Sequence, residues 1–456
     1  MTRNYLLDPN TCRRIFPDLT VVEHQVSHVR AVLTGREKAL VDRLDVYFPQ
    51  AVDETDAAAA EKMRSLWFIR TADDPAHDFT YADKRETEAH FSHVEVDATT
   101  PPPRPWLTTL EIIVTSRCNE RCLHCYIPNG EKDAAVVLDK ETVKEALRQF
   151  RELNGMKVVF SGGEPLLHPD IWELMSYCRE LDLMVLINSN LLTLTAAQTR
   201  KLKELRVFNV QVSLYSTLPA VHDGITQRKG SHERTHRSIE LLIQENVPAL
   251  ISCPVMQQNH REVAALKRQA DLWGLDCYFD YIMMARHDGN ADNLATCLTP
   301  EETKAVVRCV VQGNPLFMEA IRSAATEEEL LQKHFARRWH ACQIMSNRLG
   351  LDADGTLYPC PGWNGLSLGN IRETSLREVW TTSSITQELR ATDPHRFERC
   401  QTCQLHNFCD MCPVYNFNEN GAVDKVCTRF CTAARLLREV VLELWTEQQT
   451  ADVSQG

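Results

Sequence analysis

Three cysteines in one short segment, Cys118, Cys122 and Cys125, have a spacing that suits metal chemistry. Their thiolates are soft ligands, and a Cys-x3-Cys-x2-Cys run can hold three corners of an iron-sulfur cube while the fourth iron has no protein ligand. Such an open iron is a place where a small molecule can bind and react. The run follows an apolar, β-branched stretch at residues 110–115, so we expect the cysteine loop at the end of a strand in a β/α fold.

A second candidate segment is Phe160-Ser-Gly-Gly-Glu-Pro165, at the end of the next predicted strand. Gly162 and Gly163 allow the backbone to approach a small ligand closely, and the carboxylate of Glu164 can hold an ammonium group. Tyr126, which directly follows the third cysteine, offers an aromatic face that can cover a purine ring. Either segment alone would be weak evidence, but together on the first two strands of one β/α run they are specific.

These segments resemble those of the radical S-adenosylmethionine superfamily, and the resemblance covers residues 108–290. It implies that the three cysteines hold a 4Fe-4S cluster whose open iron chelates the amino and carboxylate groups of S-adenosylmethionine. It also implies that residues 162–165 contact that amino group. One electron from the cluster would cleave the sulfonium and give a 5′-deoxyadenosyl radical, which abstracts hydrogen from a substrate.

Two further positions match the same family. Ser213, in the predicted fourth strand, occupies the place of a ribose contact, and Asn188 lies in the turn after the third strand, which in the family often reads Thr-Asn-Gly. Ser189 stands in place of that glycine, so the contact at this turn stays open. An ordinary strand or turn hydrogen bond is the alternative for both positions. No general base is predicted, because no isolated Asp, Glu or Tyr stands out from the sequence.

A second cysteine block lies between residues 342 and 431. Its members are Cys342, Cys360, Cys400, Cys403, Cys409, Cys412, Cys427 and Cys431. Repeated Cys-x2-Cys pairs by themselves suggest structural zinc. Next to a radical cluster, however, the spacing resembles the SPASM domain, which carries two auxiliary 4Fe-4S clusters, and eight cysteines equal the ligands that two fully ligated cubes need.

The resemblance divides these cysteines between two clusters. By the family pattern the distal cluster takes Cys400, Cys403, Cys409 and Cys427. The proximal cluster takes Cys342, Cys360 and Cys412. Its fourth iron would stay open for substrate or bind His334, His340 or Cys431. Cys431 lies one helical turn after Cys427, so the two side chains can face the same way.

The elements that position these residues alternate along the chain. Strands are predicted at residues 110–115, 157–160, 183–188, 207–214, 249–255 and 276–282. Helices are predicted at about 139–153, 170–180, 195–204, 232–246 and 260–273. Such alternation requires a mostly parallel sheet with right-handed crossovers. The predicted fold class is therefore α/β, with a partial (β/α)6 TIM-like barrel.

Three domains are predicted. A proline-rich stretch at residues 99–105 reads as a linker, which makes residues 1–98 a small N-terminal α+β domain with helices near 35–44 and 57–66. The barrel would span 106–325, and the SPASM domain with a C-terminal helix near 430–447 would span 326–447. The N-terminal domain resembles winged-helix-like peptide-recognition domains, which capture a leader peptide as an added strand. A structural appendage is the alternative.

Composition limits the possible partners and locations. The chain of 456 residues has a net charge of −12, which argues against broad attraction to nucleic acid or an anionic membrane surface. Its hydrophobic fraction of 43% is ordinary, and neither a membrane-length apolar run nor a secretory signal is evident. We therefore expect a cytoplasmic protein, in which 17 cysteines are more suited to metal binding than to disulfides.

The resemblance implies an oxidoreductase that modifies a ribosomally synthesised precursor peptide by crosslinking, thioether formation or oxidation. Its partners would be that peptide and a reductant such as flavodoxin or ferredoxin. A sulfatase-type formylglycine maturase and a small-molecule radical dehydrogenase are alternatives within the same chemistry. A non-catalytic zinc or electron-transfer protein is an alternative from another class, but it leaves the combination of three cysteines and Gly-Gly-Glu-Pro unexplained.

Overall fold

The computed structural model describes residues 3–92, 105–334 and 345–455, of which the first range forms a small α+β unit. Its strands are β1 (Arg3–Leu7), β2 (Thr11–Ile15), β3 (Thr20–His24), β4 (Arg30–Leu33), β5 (Gln50–Val52) and β6 (Ile69–Thr71). Its helices are α1 (Gly35–Arg43), α2 (Ala57–Ser65) and α3 (Lys84–Phe91). The strands form two antiparallel three-stranded sheets, in the orders β5-β1-β6 and β2-β3-β4. The α+β class agrees with the sequence, and the winged-helix resemblance stays a prediction.

A carboxylate and two imidazoles meet inside this unit, at Asp8, His24 and His77. The backbone N–H of Ser27 donates to Nδ1 of His24 over 3.2 Å, so Nδ1 is an acceptor and the ring proton sits on Nε2. That proton faces Oδ1 of Asp8 at 3.4 Å, while Nδ1 of His77 lies 3.0 Å from Oδ2. A protonated Nε2 cannot bind a metal ion, so the three residues form a hydrogen-bonded network rather than a metal site.

This network makes the N-terminal unit sensitive to acid. Burial alone would raise the pKa of Asp8, but hydrogen bonds from His24 and His77 outweigh burial and hold that pKa well below its usual range. Burial lowers the pKa of His24, and the contacts with Asp8 offset this only in part. The pKa values of Asp8 and His24 are thus lower in the folded state than in the unfolded state. The unfolded state therefore binds more protons, and the free energy of unfolding decreases as the pH is lowered.

We expect the loss to begin as pH falls through about 6.5, where unfolded histidine titrates, and to grow below about 4, where unfolded aspartate titrates. Hydrogen exchange of strands β1 and β3 at pH 7.5, 5.5, 4 and 3 measures it. In Asp8→Asn the component below pH 4 is expected to disappear. Protection factors that stay constant over this range would contradict the network.

The central sheet contains six parallel strands that pair in chain order. They are β7 (Thr109–Thr115), β8 (Lys157–Gly162), β9 (Met184–Ser189), β10 (Asn209–Ser213), β11 (Ala249–Pro254) and β12 (Asp276–Asp280). The connecting helices are α4 (Asn129–Ala134), α5 (Lys140–Glu152), α6 (Ile171–Glu180), α7 (Ala196–Glu204), α8 (Pro219–Thr226), α9 (Ser231–Gln244) and α10 (Val263–Trp273). The predicted partial barrel is confirmed, while the short helices α4 and α8 were not predicted from the sequence.

Helix α5 illustrates how the outer layer forms. Asp139 caps its first turn by accepting from the backbone N–H of Thr142, and the helix has a strongly apolar face. The buried residues of that face are Val143, Ala146, Leu147 and Phe150. They pack with strand residues in the main core cluster, each large side chain contributing about 1.5–3 kcal/mol. The same pattern around the sheet fixes the strand ends that carry the candidate site.

The C-terminal part extends the barrel sheet. Its elements are α11 (Pro300–Gln312), α12 (Pro315–Ser323), α13 (Glu327–Glu329), β13 (Arg348–Leu351), β14 (Leu357–Tyr358), α14 (Leu376–Thr381), α15 (Ser384–Arg390), α16 (Pro413–Asn420) and α17 (Thr428–Gln455). Strand β13 pairs in parallel with β7, and β14 pairs antiparallel with β13. The expected final helix is present as α17. Across the described ranges, no helix is long and apolar enough to span a membrane.

Candidate functional site

The cysteine loop directly follows β7 and is held in place by backbone hydrogen bonds. The N–H of Leu123 donates to the carbonyl of Ile225 over 3.0 Å, at the end of α8. The guanidinium of Arg286 donates to the carbonyl of Cys125 over 2.7 Å, and that of Arg228 donates to Asn119 over 2.8 Å. The loop is therefore fixed from three directions before any ligand binds.

The Gly-Gly-Glu segment rests on the start of this loop. The N–H of Gly163 donates to the carbonyl of Thr115, and the N–H of Glu164 donates to that of Arg117, both over 2.8 Å. A Cβ on Gly162, whose φ is +142°, would lie 2.3 Å from the oxygen of Thr115, and a Cβ on Gly163 would lie 2.2 Å from that of Arg117. Glycine is thus required because two backbones touch here.

The carboxylate of Glu164 is hydrogen-bonded within the protein. Its carboxylate, only 1% exposed, accepts from Ser189 Oγ at 2.7 Å and from the backbone N–H groups of Asn190 and Leu166 at 2.8 and 3.0 Å. Burial raises its pKa, and these hydrogen bonds oppose that shift. Neither Glu164 nor Pro165 lines the cavity described next. The carboxylate therefore fixes the turn to β9, and Ser189 supplies one of the donors.

One cavity of about 480 Å³ lies where the barrel strands end and brings most of the predicted residues together. The predicted residues that line it are Cys118, Cys122, Cys125, Tyr126, Gly162, Gly163, Asn188, Ser213, Cys360 and Cys412. The loop cysteines and two cysteines of the second block thus face a common space. A volume of this size suits a cofactor or small-molecule ligand.

The polar groups of the cavity fit a metal cluster with a charged, polar ligand. Burial raises the pKa of Cys118 to about 11 and that of Cys122 well above its ordinary value, so thiolates here need a nearby positive charge such as iron. Oε1 of Glu120 and Nδ1 of His124 are buried without a hydrogen-bond partner in the described part of the chain. Lys132 is 3% exposed and lines the same cavity. These groups suit a ligand that carries donors, acceptors and a carboxylate.

Sequence reasoning did not predict the other lining residues, and five of them bear on the chemistry proposed below. Glu120, His124 and Lys132 belong to the cysteine loop and α4, and their closeness to the cysteines was the available signal. Asp280 and Tyr415 offered none, because they come from β12 and α16. Oδ1 of Asp280 accepts from the N–H of Ile282 at 3.0 Å, the hydroxyl of Tyr415 lies 3.4 Å from Oδ2, and burial raises the pKa of Asp280. Asp280 is the cavity's candidate proton acceptor.

The second cysteine block forms two groups. Cys360 and Cys412 line the cavity, and the charge of Cys412 helps burial to raise the pKa of Cys360 to about 12. The other group is Cys400, Cys403, Cys409 and Cys431. Burial raises the pKa of Cys409 to about 12, with contributions from the charges of the other three. Cys342, His340 and the side chain of His334 lie outside the described residues.

Cys427 and Cys431, which the family pattern treats differently, both lie near the start of α17. Cys427 lies just before α17, fully buried, where its N–H donates to Asn416 Oδ1 at 2.8 Å and its thiol lies 3.5 Å from Glu419 Oε2. Cys431 is in the first turn of α17, within electrostatic range of Cys400 and Cys409. Cys427 also packs in one buried cluster with Cys400, against which Cys409 packs. The choice between Cys427 and Cys431 therefore stays a prediction.

Comparisons with known proteins agree with this geometry. Residues 112–270 match the radical SAM superfamily, and residues 342–404 match SPASM, described as an iron-sulfur cluster-binding domain. An AdoMet-dependent heme synthase of Oleidesulfovibrio alaskensis is 23% identical and covers 76% of this chain and 94% of its own. A PqqA peptide cyclase of Ruegeria pomeroyi is 25% identical and covers 73% and 89%.

The solved structure of Streptococcus suis SuiB bound to precursor peptide SuiA has the same fold over most of its length. It is 14% identical, has a TM-score of 0.61, and covers 92% of this chain and 98% of its own. Because 92% of the chain is covered, the alignment extends beyond the two matched domains and includes at least part of the N-terminal unit.

Proposed function

The chain belongs to the radical SAM superfamily and carries a SPASM iron-sulfur domain, and we propose that it modifies a ribosomally synthesised peptide by radical chemistry. The observation that carries this proposal is the common cavity of the cysteine loop and the pair Cys360 and Cys412. That arrangement suits an enzyme that forms a radical at one cluster and passes an electron through another. A crosslink, a thioether or an oxidation is the expected product.

The residues that would hold the cofactors follow from the cavity. Cys118, Cys122 and Cys125 would ligate the first 4Fe-4S cluster, which when bound supplies the electron that cleaves S-adenosylmethionine to a 5′-deoxyadenosyl radical. Backbone groups of Gly162 and Gly163 face the same space and would bind the methionine amino group. The carboxylate of the methionine would meet the ammonium of Lys132, which has no ion pair among the described residues.

The remaining contacts position the nucleoside and the substrate. Tyr126 and His124 offer rings for the adenine, and Asn188 and Ser213 offer polar groups for the ribose. Asp280 would accept the proton released as the substrate is oxidised. It is held by two hydrogen bonds, so its orientation does not depend on the ligand.

The second block would hold two auxiliary clusters. We propose Cys342, Cys360 and Cys412 for the proximal cluster, which would accept an electron or bind a substrate thiol. We propose Cys400, Cys403 and Cys409 for the distal cluster, with Cys427 as its fourth ligand and Cys431 as the alternative. The domain limits 1–98, 106–325 and 326–447, the cytoplasmic location and a reductant such as flavodoxin or ferredoxin are part of the same proposal.

A peptide substrate is favoured by the N-terminal unit. The peptide-bound SuiB structure resembles this chain over 92% of its length, N-terminal unit included, and a PqqA peptide cyclase is among the relatives. A reaction of heme synthesis is the second candidate, because a heme synthase matches 76% of the chain. The cavity chemistry fits either substrate, so the substrate is the property to test.

The experiment uses anaerobically reconstituted enzyme, dithionite and S-adenosylmethionine. Synthetic peptides encoded by short neighbouring reading frames rich in Cys or aromatic residues are offered beside an iron porphyrin, and mass spectrometry follows both. We expect a peptide to change mass in step with 5′-deoxyadenosine formation. In Cys412→Ala, cleavage of S-adenosylmethionine should persist while peptide modification is lost. Conversion of the porphyrin with every peptide unchanged would favour heme synthesis and contradict the proposal.

A further inference from the structure

The two edges of the barrel sheet are treated differently. The edge at β7 is covered by β13, which pairs with it from Arg348 to Leu351. Within residues 3–92, 105–334 and 345–455, no strand pairs with the outer edge of β12. Proteins usually protect such edges, because unpaired backbone groups attract other chains. This uncovered edge lies beside the cavity that the loop cysteines line, which we call the reaction cavity. Its position suggests that the edge binds a ligand.

The register identifies the backbone groups at that edge. The N–H of Val255 donates to the carbonyl of Asp280 over 2.7 Å, so Asp280 directs its backbone groups towards β11. Residues of a strand alternate, so Cys277 and Phe279 direct their N–H and C=O groups away from the sheet. In the described part of the chain these four groups have no hydrogen-bond partner. They can accept one extended segment in a ladder.

Each face of β12 borders a cavity. A cavity of about 460 Å³ lies on the helix side. One wall is apolar and includes Phe279, Val310, Pro315 and Leu316, while Glu88, Lys267, Asp276 and Asn314 line the remainder. The side chain of Leu316 is 82% exposed, as expected for an apolar residue whose binding partner is absent. On the other face, Asp280 lines the reaction cavity at the carboxyl end of the strand.

We propose that the substrate peptide binds as an added strand on the edge of β12. The proposal rests on the proposed function and names how that substrate is held. Side chains of an added strand alternate, so one set would pack on the apolar wall of the cavity on the helix side while the other set faces the reaction cavity near Asp280. The bound segment would thus carry apolar residues at every second position. Only Cys277 and Phe279 direct backbone N–H and C=O groups to this edge. So few hydrogen bonds are better suited to a substrate that must dissociate than to a permanent subunit contact.

The first test uses a synthetic peptide that the wild-type enzyme modifies, together with copies N-methylated at one residue each. N-methylation of a peptide residue that pairs with Cys277 or Phe279 removes a backbone N–H donor. KM should therefore rise about tenfold for peptides methylated at alternate residues and stay unchanged for those methylated at the residues between. The intervening residues are the matched control. If no peptide is modified, the proposed function fails. If one is modified and N-methylation has no alternating effect, only the edge-strand inference fails.

The second test changes the enzyme. Cys277→Pro removes one outward N–H at an edge position where proline is tolerated, and KM for the peptide should rise about tenfold with kcat little changed. Leu272→Ala, at an 82% exposed side chain on α10, is the control and should leave KM unchanged. Iron content and melting temperature show whether the variant folds. If Cys277→Pro does not fold, the N-methylated peptides alone decide the test. A wild-type dimer that Cys277→Pro dissociates would assign the edge to a second copy and overturn the proposal.

Discussion

Replacing Cys118 by alanine should stop formation of 5′-deoxyadenosine, with a loss of roughly a thousandfold or more. The thiol of Cys118 lines the cavity with Cys122 and Cys125, and two thiolates cannot hold the cube while leaving one iron open for S-adenosylmethionine. Iron per chain should fall from about 12 atoms to about 8, because the auxiliary clusters have their own ligands. Liquid chromatography of the nucleoside and an iron assay measure the two effects.

Cys178→Ala is the matched control for this variant. Cys178 is fully buried in α6 and packs in the main core cluster, away from the cavity. Its loss should lower stability modestly and leave both iron content and nucleoside formation at wild-type levels. A Cys118→Ala enzyme that still cleaves S-adenosylmethionine would refute the assignment of the loop.

Gly163→Ala should reduce activity by roughly a hundredfold while all cysteines remain in place. The added Cβ would lie 2.2 Å from the carbonyl oxygen of Arg117, so either the Gly-Gly-Glu segment or the cysteine loop must move. Overpacking of this kind costs about 1–3 kcal/mol of stability. We expect a higher KM for S-adenosylmethionine and a lower melting temperature, measured by steady-state kinetics and calorimetry.

Gly130→Ala is the corresponding control. Gly130 lies in α4 close to the same loop in sequence, and a Cβ there would meet nothing within 4 Å. Its activity should equal that of the wild type. Equal activities for the two alanine variants would show that the close approach at Gly163 does not position the cluster loop.

The barrel was predictable because each of its signals is local. Residues 110–115 and 157–160 are short apolar runs, and helix α5 carries its apolar face and its cap in its own sequence. The loop cysteines, Gly162 and Gly163 follow directly from those strands. Their meeting in one cavity then follows from the rule that parallel strands place their carboxyl ends at one edge.

The parts that were missed depend on distant pairs. Asp280 lines the cavity because it lies at the end of β12, the last strand of the barrel. Its partner Tyr415 lies in α16, 135 residues later in the chain, and no local sequence pattern indicates this contact. The carboxylate of Glu164 accepts a hydrogen bond from Ser189. From the sequence, Ser189 was noted only as standing where the family often has glycine. Cys427 packs in a buried cluster with Cys400, while the charge of Cys431 contributes to the raised pKa of Cys400, so both are near it and local spacing does not choose between them.

The pairing of β13 with β7 also bears on electron transfer. Leu349 pairs with Leu110 and Leu351 pairs with Ile112, so the cysteine loop after β7 and the hairpin that leads to Cys360 extend from neighbouring strands of one sheet. Neighbouring strands lie about 4.8 Å apart and cannot separate without breaking their ladder. If both proposed sites hold clusters, main-chain hydrogen bonds would limit the length of the tunnelling path between them, and the rate of electron transfer should be insensitive to domain motion.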